Sequence, residues 1–276
     1  MNRLTNQKLS AFAASFALLA TVAKADTTNL LYSTGFDASQ GYLAADINGQ
    51  NGWTTYQPAA GSGYANVTFG APAGFSGTGA FQLNSGINGN ESPRYAWPAG
   101  YGATFSSVGA YGILANNSMY LPSGQTTSAA RVGLVTYDST GAKILGGYYV
   151  QASTSAVYLL GYYNNAGTLG NYAFNTGATL ATDQWTDFTT FWNGQNGRLT
   201  VSWGANSFYV DGAGAGSIAD ETDFYANRNG SAIAATSYYD NLSIGAVIPE
   251  PSSFALGLTG LAIGGWLMRN RRPTQS

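Results

Sequence analysis

Through the middle of the chain, apolar and polar positions alternate with a period of two. Gly, Pro, Asn and Asp interrupt the alternation at roughly ten-residue spacing. The pattern predicts strands over residues 30–36, 64–69, 80–83 and 94–97, set between breakers. Residues 129–137 and 143–150 flank Asp138-Ser139-Thr140-Gly141, a hairpin loop signal, and a strand over 156–163 ends at Asn164-Asn165-Ala166-Gly167. Residues 185–212 read as three strands joined at 193–197 and 204–207, and 238–244 as a last strand. No segment of this region keeps a helical period for three turns. Such a string of strands builds a sandwich or a barrel.

Two apolar runs at the ends break the pattern. Residues 9–23 carry no charge, follow Arg3 and Lys8, and lead into Ala23-Lys24-Ala25. That order is a secretory signal, which places signal-peptidase cleavage between Ala25 and Asp26. At the other end Pro249-Glu250-Pro251 precedes the apolar run 254–268, and Arg269, Arg271 and Arg272 follow it. Fifteen helical residues span about 22 Å, a short transmembrane helix for a bilayer core of about 30 Å. The arginines hold the C-terminus in the cytoplasm and leave everything upstream outside. The chain therefore divides into a signal over 1–25, one domain over 26–247 and a tail over 248–276.

Charge sharpens this division. Six of the eleven basic residues lie in the two end segments; the domain keeps five against twelve acidic residues, a balance of −7. No basic patch exists to hold nucleic acid. The sequence has no cysteine and no histidine, which removes disulfides and histidine-based acid–base chemistry. Its 222-residue domain is long enough to bury a substantial core.

The tail resembles the PEP-CTERM sorting signal of Gram-negative bacteria. That resemblance implies recognition of Pro249, Glu250 and Pro251 by a membrane exosortase, with Arg269, Arg271 and Arg272 as the retention cluster. It implies a transient inner-membrane anchor and a final place at the cell surface or in the extracellular matrix. Residues 185–212, ending in Tyr209-Val210-Asp211-Gly212, and the closing Tyr238-Tyr239-Asp240-Asn241 resemble concanavalin A-like and laminin-G-like jelly rolls. The fold expected from them is all-β, an antiparallel two-sheet jelly-roll sandwich with the first and last strands side by side. Related modules hold a structural Ca²⁺ where those strands meet, which here implicates Asp37 and Asp240; no other cofactor is expected.

Other chemistry is sparse. Glycoside hydrolysis needs a facing pair of carboxylates, and the three glutamates, Glu91, Glu221 and Glu250, lack the strand spacing seen in jelly-roll laminarinases. Asp220-Glu221-Thr222-Asp223 could gather around Ca²⁺ but reads more simply as a solvated acidic loop. Tyr148, Tyr149, Tyr162, Tyr163, Trp192 and Trp203 fall in predicted strands, where most fill the core and a sheet-face subset would stack on sugar rings. The expectation is an exported protein, not an enzyme, either binding polysaccharide or acting as a structural or adhesive coat, with a glycosidase as the third reading.

Overall fold

Among the described residues, fifteen strands in two antiparallel sheets account for most of the backbone. They are β1 (Thr27–Thr34), β2 (Thr54–Tyr56), β3 (Ala65–Phe69), β4 (Gly79–Asn84), β5 (Arg94–Trp97), β6 (Gly112–Tyr120), β7 (Arg131–Asp138) and β8 (Ile144–Gln151). The second half adds β9 (Ala156–Asn165), β10 (Thr168–Thr179), β11 (Trp185–Asn193), β12 (Arg198–Trp203), β13 (Asn206–Val210), β14 (Ala219–Asn227) and β15 (Thr236–Ile248). The computed structural model describes residues 26–56, 65–70, 72, 79–85, 94–125, 129–212, 214–227 and 235–249. Residues 28–247 form one body. The signal over 1–25 and the apolar run over 254–268 lie outside the described residues; among those described, no helix is long and apolar enough to cross a membrane.

One sheet runs β13-β12-β11-β6-β15-β4-β3, with β1 also paired to β15; the other runs β10-β9-β8-β7-β14-β5-β2. We call them sheet A and sheet B. The all-β two-sheet expectation holds, and so does the pairing of the first strand with the last. Two short helical pieces interrupt the strands, a 3₁₀ turn at Ala38–Gln40 and the helix α1 at Gly102–Ser107.

Period-two alternation puts every second side chain between the sheets. There Trp53 lies nearly parallel to Phe224 (centroids 5.8 Å apart, 6°), with Phe36 and Phe81 packed against both. Tyr148 of β8 stacks on Phe188 of β11 at 4.0 Å, joining the two sheets. Fully burying such a side chain contributes about 1.5–3 kcal/mol, so these two clusters outweigh any surface ion pair.

Four strands escape the sequence pattern, of which β2 spans only three residues. β6 carries Asn116, Asn117 and Ser118 in mid-sheet, but the buried Asn117 amide donates to the Tyr148 hydroxyl at 2.8 Å and accepts from it at 3.1 Å. β10 contains two glycines and two asparagines, residues depleted in strands. β14 corrects the acidic loop: Asp220 to Asp223 lie in a central strand. Asp220 accepts from the Gly102 N–H at the start of α1, where any side chain on Gly102 would collide with it. Thr222 faces inward and bonds the hydroxyls of Tyr101 (2.7 Å) and Thr136 (2.9 Å).

Candidate functional site: a tyrosine row across sheet B

Register places one line of side chains across the outer face of all seven strands of sheet B. Tyr56 pairs with Tyr95, Tyr95 with Tyr225, Tyr225 with Gly133, Gly133 with Tyr149, Tyr149 with Tyr158, and Tyr158 with Asn175. Five of seven positions are tyrosine. With neighbouring strands about 4.8 Å apart, the row is about 29 Å long and runs across the strands. Its one gap is forced, because a side chain on Gly133 would run into the Tyr148 carbonyl of the adjoining strand.

The rings support one another. Tyr149 and Tyr158 stack at 4.7 Å and 14°, Tyr95 packs on Tyr225 at 5.8 Å, and Tyr137 meets Tyr95 edge-on and donates to its hydroxyl at 3.0 Å. The Arg131 guanidinium lies 4.8 Å from the Tyr149 ring centre, and Lys143 Nζ 5.5 Å from that of Tyr162. Tyr149 and Tyr225 are themselves buried and form, with Val135 and Ile144, a small apolar cluster separate from the main core. Burial is the main cause that raises the hydroxyl pKa of Tyr95, Tyr137 and Tyr149; it pushes that of Tyr225 up to about 12. These hydroxyls stay protonated at neutral pH, so each both donates and accepts hydrogen bonds.

Asp223 stands one step along β14 from the row, beside Val135, and is 2% exposed. Its Oδ1 has no hydrogen-bond partner, and burial, with a smaller contribution from Glu221, raises its pKa well above the ordinary carboxylate value. Burial thus favours its protonated form at the base of an aromatic face.

A second cluster gathers where β1 meets β15. A Cβ on Gly35 would lie 3.3 Å from Asp37 Oδ2, 3.5 Å from Asp240 Oδ1 and 3.8 Å from Gln40 Oε1. Phe36 (φ 55°) and Asn241 (φ 51°) hold left-handed backbone beside the two aspartates, a conformation that costs a non-glycine residue about 1 kcal/mol or more. Asp240 is 1% exposed and its Oδ2 is unpartnered; burial first, then the nearby Asp37 charge, raises its pKa to about 6 against the opposing Asn241 N–H bond. Two hard carboxylates, one with an orphaned oxygen, fit an oxygen-seeking cation such as Ca²⁺.

Of the aromatic residues singled out in the sequence, Tyr149 and Tyr162 lie on the outer face of sheet B, whereas Tyr148, Trp192 and Trp203 belong to the core. Tyr163 alternates to the inner side. Sequence reading missed Tyr56, Tyr95, Tyr158 and Tyr225 and placed Asp223 in a solvated loop; the local signal was the 138–141 hairpin, in which the register shift between Thr136 and Tyr137 brings Tyr149, paired with Gly133, to the same face as Tyr137. Pro249 is exposed just past β15, and Asp26 is exposed just before β1. Ala23, Ala25, Glu250, Pro251, Arg269, Arg271 and Arg272 lie outside the described residues.

No family model and no curated protein matches the chain. Among solved structures it is similar to the endo-β-1,4-glucuronan lyase of the fungus Trichoderma reesei, with 11% identity over 79% of this chain and 96% of that one, at a TM-score of 0.49. It is similar to the alginate lyase vAL-1 from Chlorella virus, with 11% identity over 79% and 100%, at 0.47. A botulinum neurotoxin type C structure, described as depending on two ganglioside molecules for cell entry, matches at 8% identity over 78% of this chain and 47% of that one, at 0.48. At such identities the likeness is one of fold. The expectation that the chain is not an enzyme is corrected accordingly: the solved structures it is similar to include polysaccharide lyases, a likeness of fold alone.

Proposed function

We propose that this chain is an exported surface or matrix protein whose sheet B tyrosine row holds a polysaccharide. The row itself carries the reading. It is long, crosses the strands, and joins flat apolar ring faces to hydroxyls that stay neutral, which suits the apolar faces and hydroxyl edges of linked sugars. The Arg131, Gln151 and Asn227 positions at one end of the face supply polar groups for orientation. Asp37 and Asp240 would hold a Ca²⁺ that fixes β1 against β15. A glycan array probed with the exported protein is expected to show retention on polysaccharides rather than monosaccharides; failure to bind any polysaccharide sinks the reading.

Delivery rests on the tail. The prolines at 249 and 251 exclude helix just outside the membrane and leave an extended segment for a protease. Replacing Pro249-Glu250-Pro251 with alanines should preserve membrane insertion and block release of the domain, followed by fractionation with an epitope inside residues 26–247. Release in wild-type amount and size would reduce the tail to a plain anchor.

A further inference from the structure

The ends of the two sheets are not alike. β2 has three residues, β3 and β13 have five each, and β1 has eight. β10 has twelve, and among the described residues only β9 pairs with it. A free edge is a row of unpaired N–H and C=O groups, and proteins usually blunt a long one with charge, proline or brevity. β10 has none of these. Not one charged residue or proline occurs between Lys143 and Asp183, a stretch that takes in β8, β9 and β10. By contrast, β13 lies beside the exposed Arg198–Asp211 ion pair.

The side chains at this edge are also unfinished. Phe174 pairs with Leu159, which is buried in the core, so its register turns it toward the inner side of sheet B; yet it is 42% exposed because the sandwich stops there. Leu169 on the opposite face is 56% exposed. A strand added beside β10 would cover both.

We infer that β10 is an assembly edge and that its partner is β10 of a second copy of this chain, paired antiparallel about a two-fold axis. A two-fold contact requires a surface complementary to itself. An uncharged strand meets that condition, whereas a domain with a balance of −7 is repelled by its copy almost everywhere else. Pairing would satisfy the free backbone groups, bring the two Phe174 rings under a shared sheet, and join two seven-stranded sheets into one. Both tyrosine rows would then lie on one continuous surface. The inference does not depend on polysaccharide binding.

Sedimentation of the purified full chain in detergent is expected to show a dimer. Leu169→Lys with Phe174→Lys should weaken self-association by about tenfold or more, because like charges opposite one another oppose strand pairing. Tyr209→Lys on β13 should leave the dimer intact, and the tail is common to all three proteins. Because the chain has no cysteine, a second measurement adds no charge. Single cysteines at each position of β10 from Thr168 to Thr179 are oxidised in turn, with Thr200→Cys on sheet A as control. A two-fold β10 contact sets the residue on its axis opposite its own copy, within disulfide range, so that this position cross-links about tenfold faster than the control. A monomeric wild type, or cross-linking no faster than at Thr200, overturns the inference; if the lysine variant misfolds, the cysteine series decides alone.

Discussion

Each sheet carries one row of side chains across its outer face, and the two rows have opposite chemistry. On sheet A the row is Ser243, Asn116, Thr189, Ser202 and Ser207. Its members bond each other: the Asn116 amide donates to Ser243 at 3.2 Å, Thr189 donates to Asn116 Oδ1 at 2.9 Å, and Ser202 donates to Ser207 at 2.9 Å. On sheet B the row is tyrosine: Tyr56 is half exposed, Tyr95 and Tyr158 are partly buried, and Tyr149 and Tyr225 are buried. A hydroxyl–amide ladder that satisfies itself offers a ligand little that water does not already have. At its exposed members, Tyr56 above all, an aromatic row keeps apolar area in contact with solvent, and that area is gained back only when something covers it. Under the proposed function, the difference separates a face that stabilises its own sheet from one that holds a partner.

The largest expected effect tests this contrast directly. Tyr95→Ala with Tyr158→Ala should lower polysaccharide affinity in gel retardation by about tenfold or more, each ring contributing about 0.5–1.5 kcal/mol beyond the area it buries. Thr189→Ala with Ser202→Ala should leave affinity unchanged and lower stability by about 1 kcal/mol per lost bond. Equal losses from both pairs would erase the distinction between the faces.

How far the sequence reveals this contrast depends on the range of the interactions. Alternation and turn residues are local, so the β7–β8 hairpin, the triplet β11-β12-β13 and the last strand are legible in it. The partner strands of sheet B are not. Tyr225 and Tyr149 join one row only because β14 enters the sheet between β5 and β7, its first residue, Ala219, standing 81 residues after Asp138 of β7 and 122 after Trp97 of β5. Asp223 reads as a surface acid until its strand proves central. Asp37 and Asp240 come together because β1 lies beside β15, which the resemblance to jelly rolls implied and composition did not.

The smallest expected effect concerns two buried carboxylates, one associated with each sheet. Asp223 on sheet B and Asp240 on sheet A both have raised pKa values, chiefly through burial. The folded protein therefore keeps protons that the unfolded chain loses above about pH 3.9. Its stability must fall as pH rises from there, by about 1.4 kcal/mol per pH unit for each group within its window. For Asp240 that window closes at about 6. A cation between Asp37 and Asp240 would favour the charged form and remove only the sheet A share. In chelator, the melting temperature should decline from pH 4 to pH 6 and beyond. Calcium at a hundredfold excess over its dissociation constant should restore about 2.7 kcal/mol at pH 7. Asp240→Asn should flatten the decline below pH 6 and abolish the calcium response. Asp223→Asn should raise the melting temperature at pH 7 while leaving that response intact, since the sheet B acid touches no cation. If calcium leaves the wild-type melting temperature unchanged, Asp37 and Asp240 are not a metal site, and the orphaned oxygen of Asp240 is a cost of burial alone.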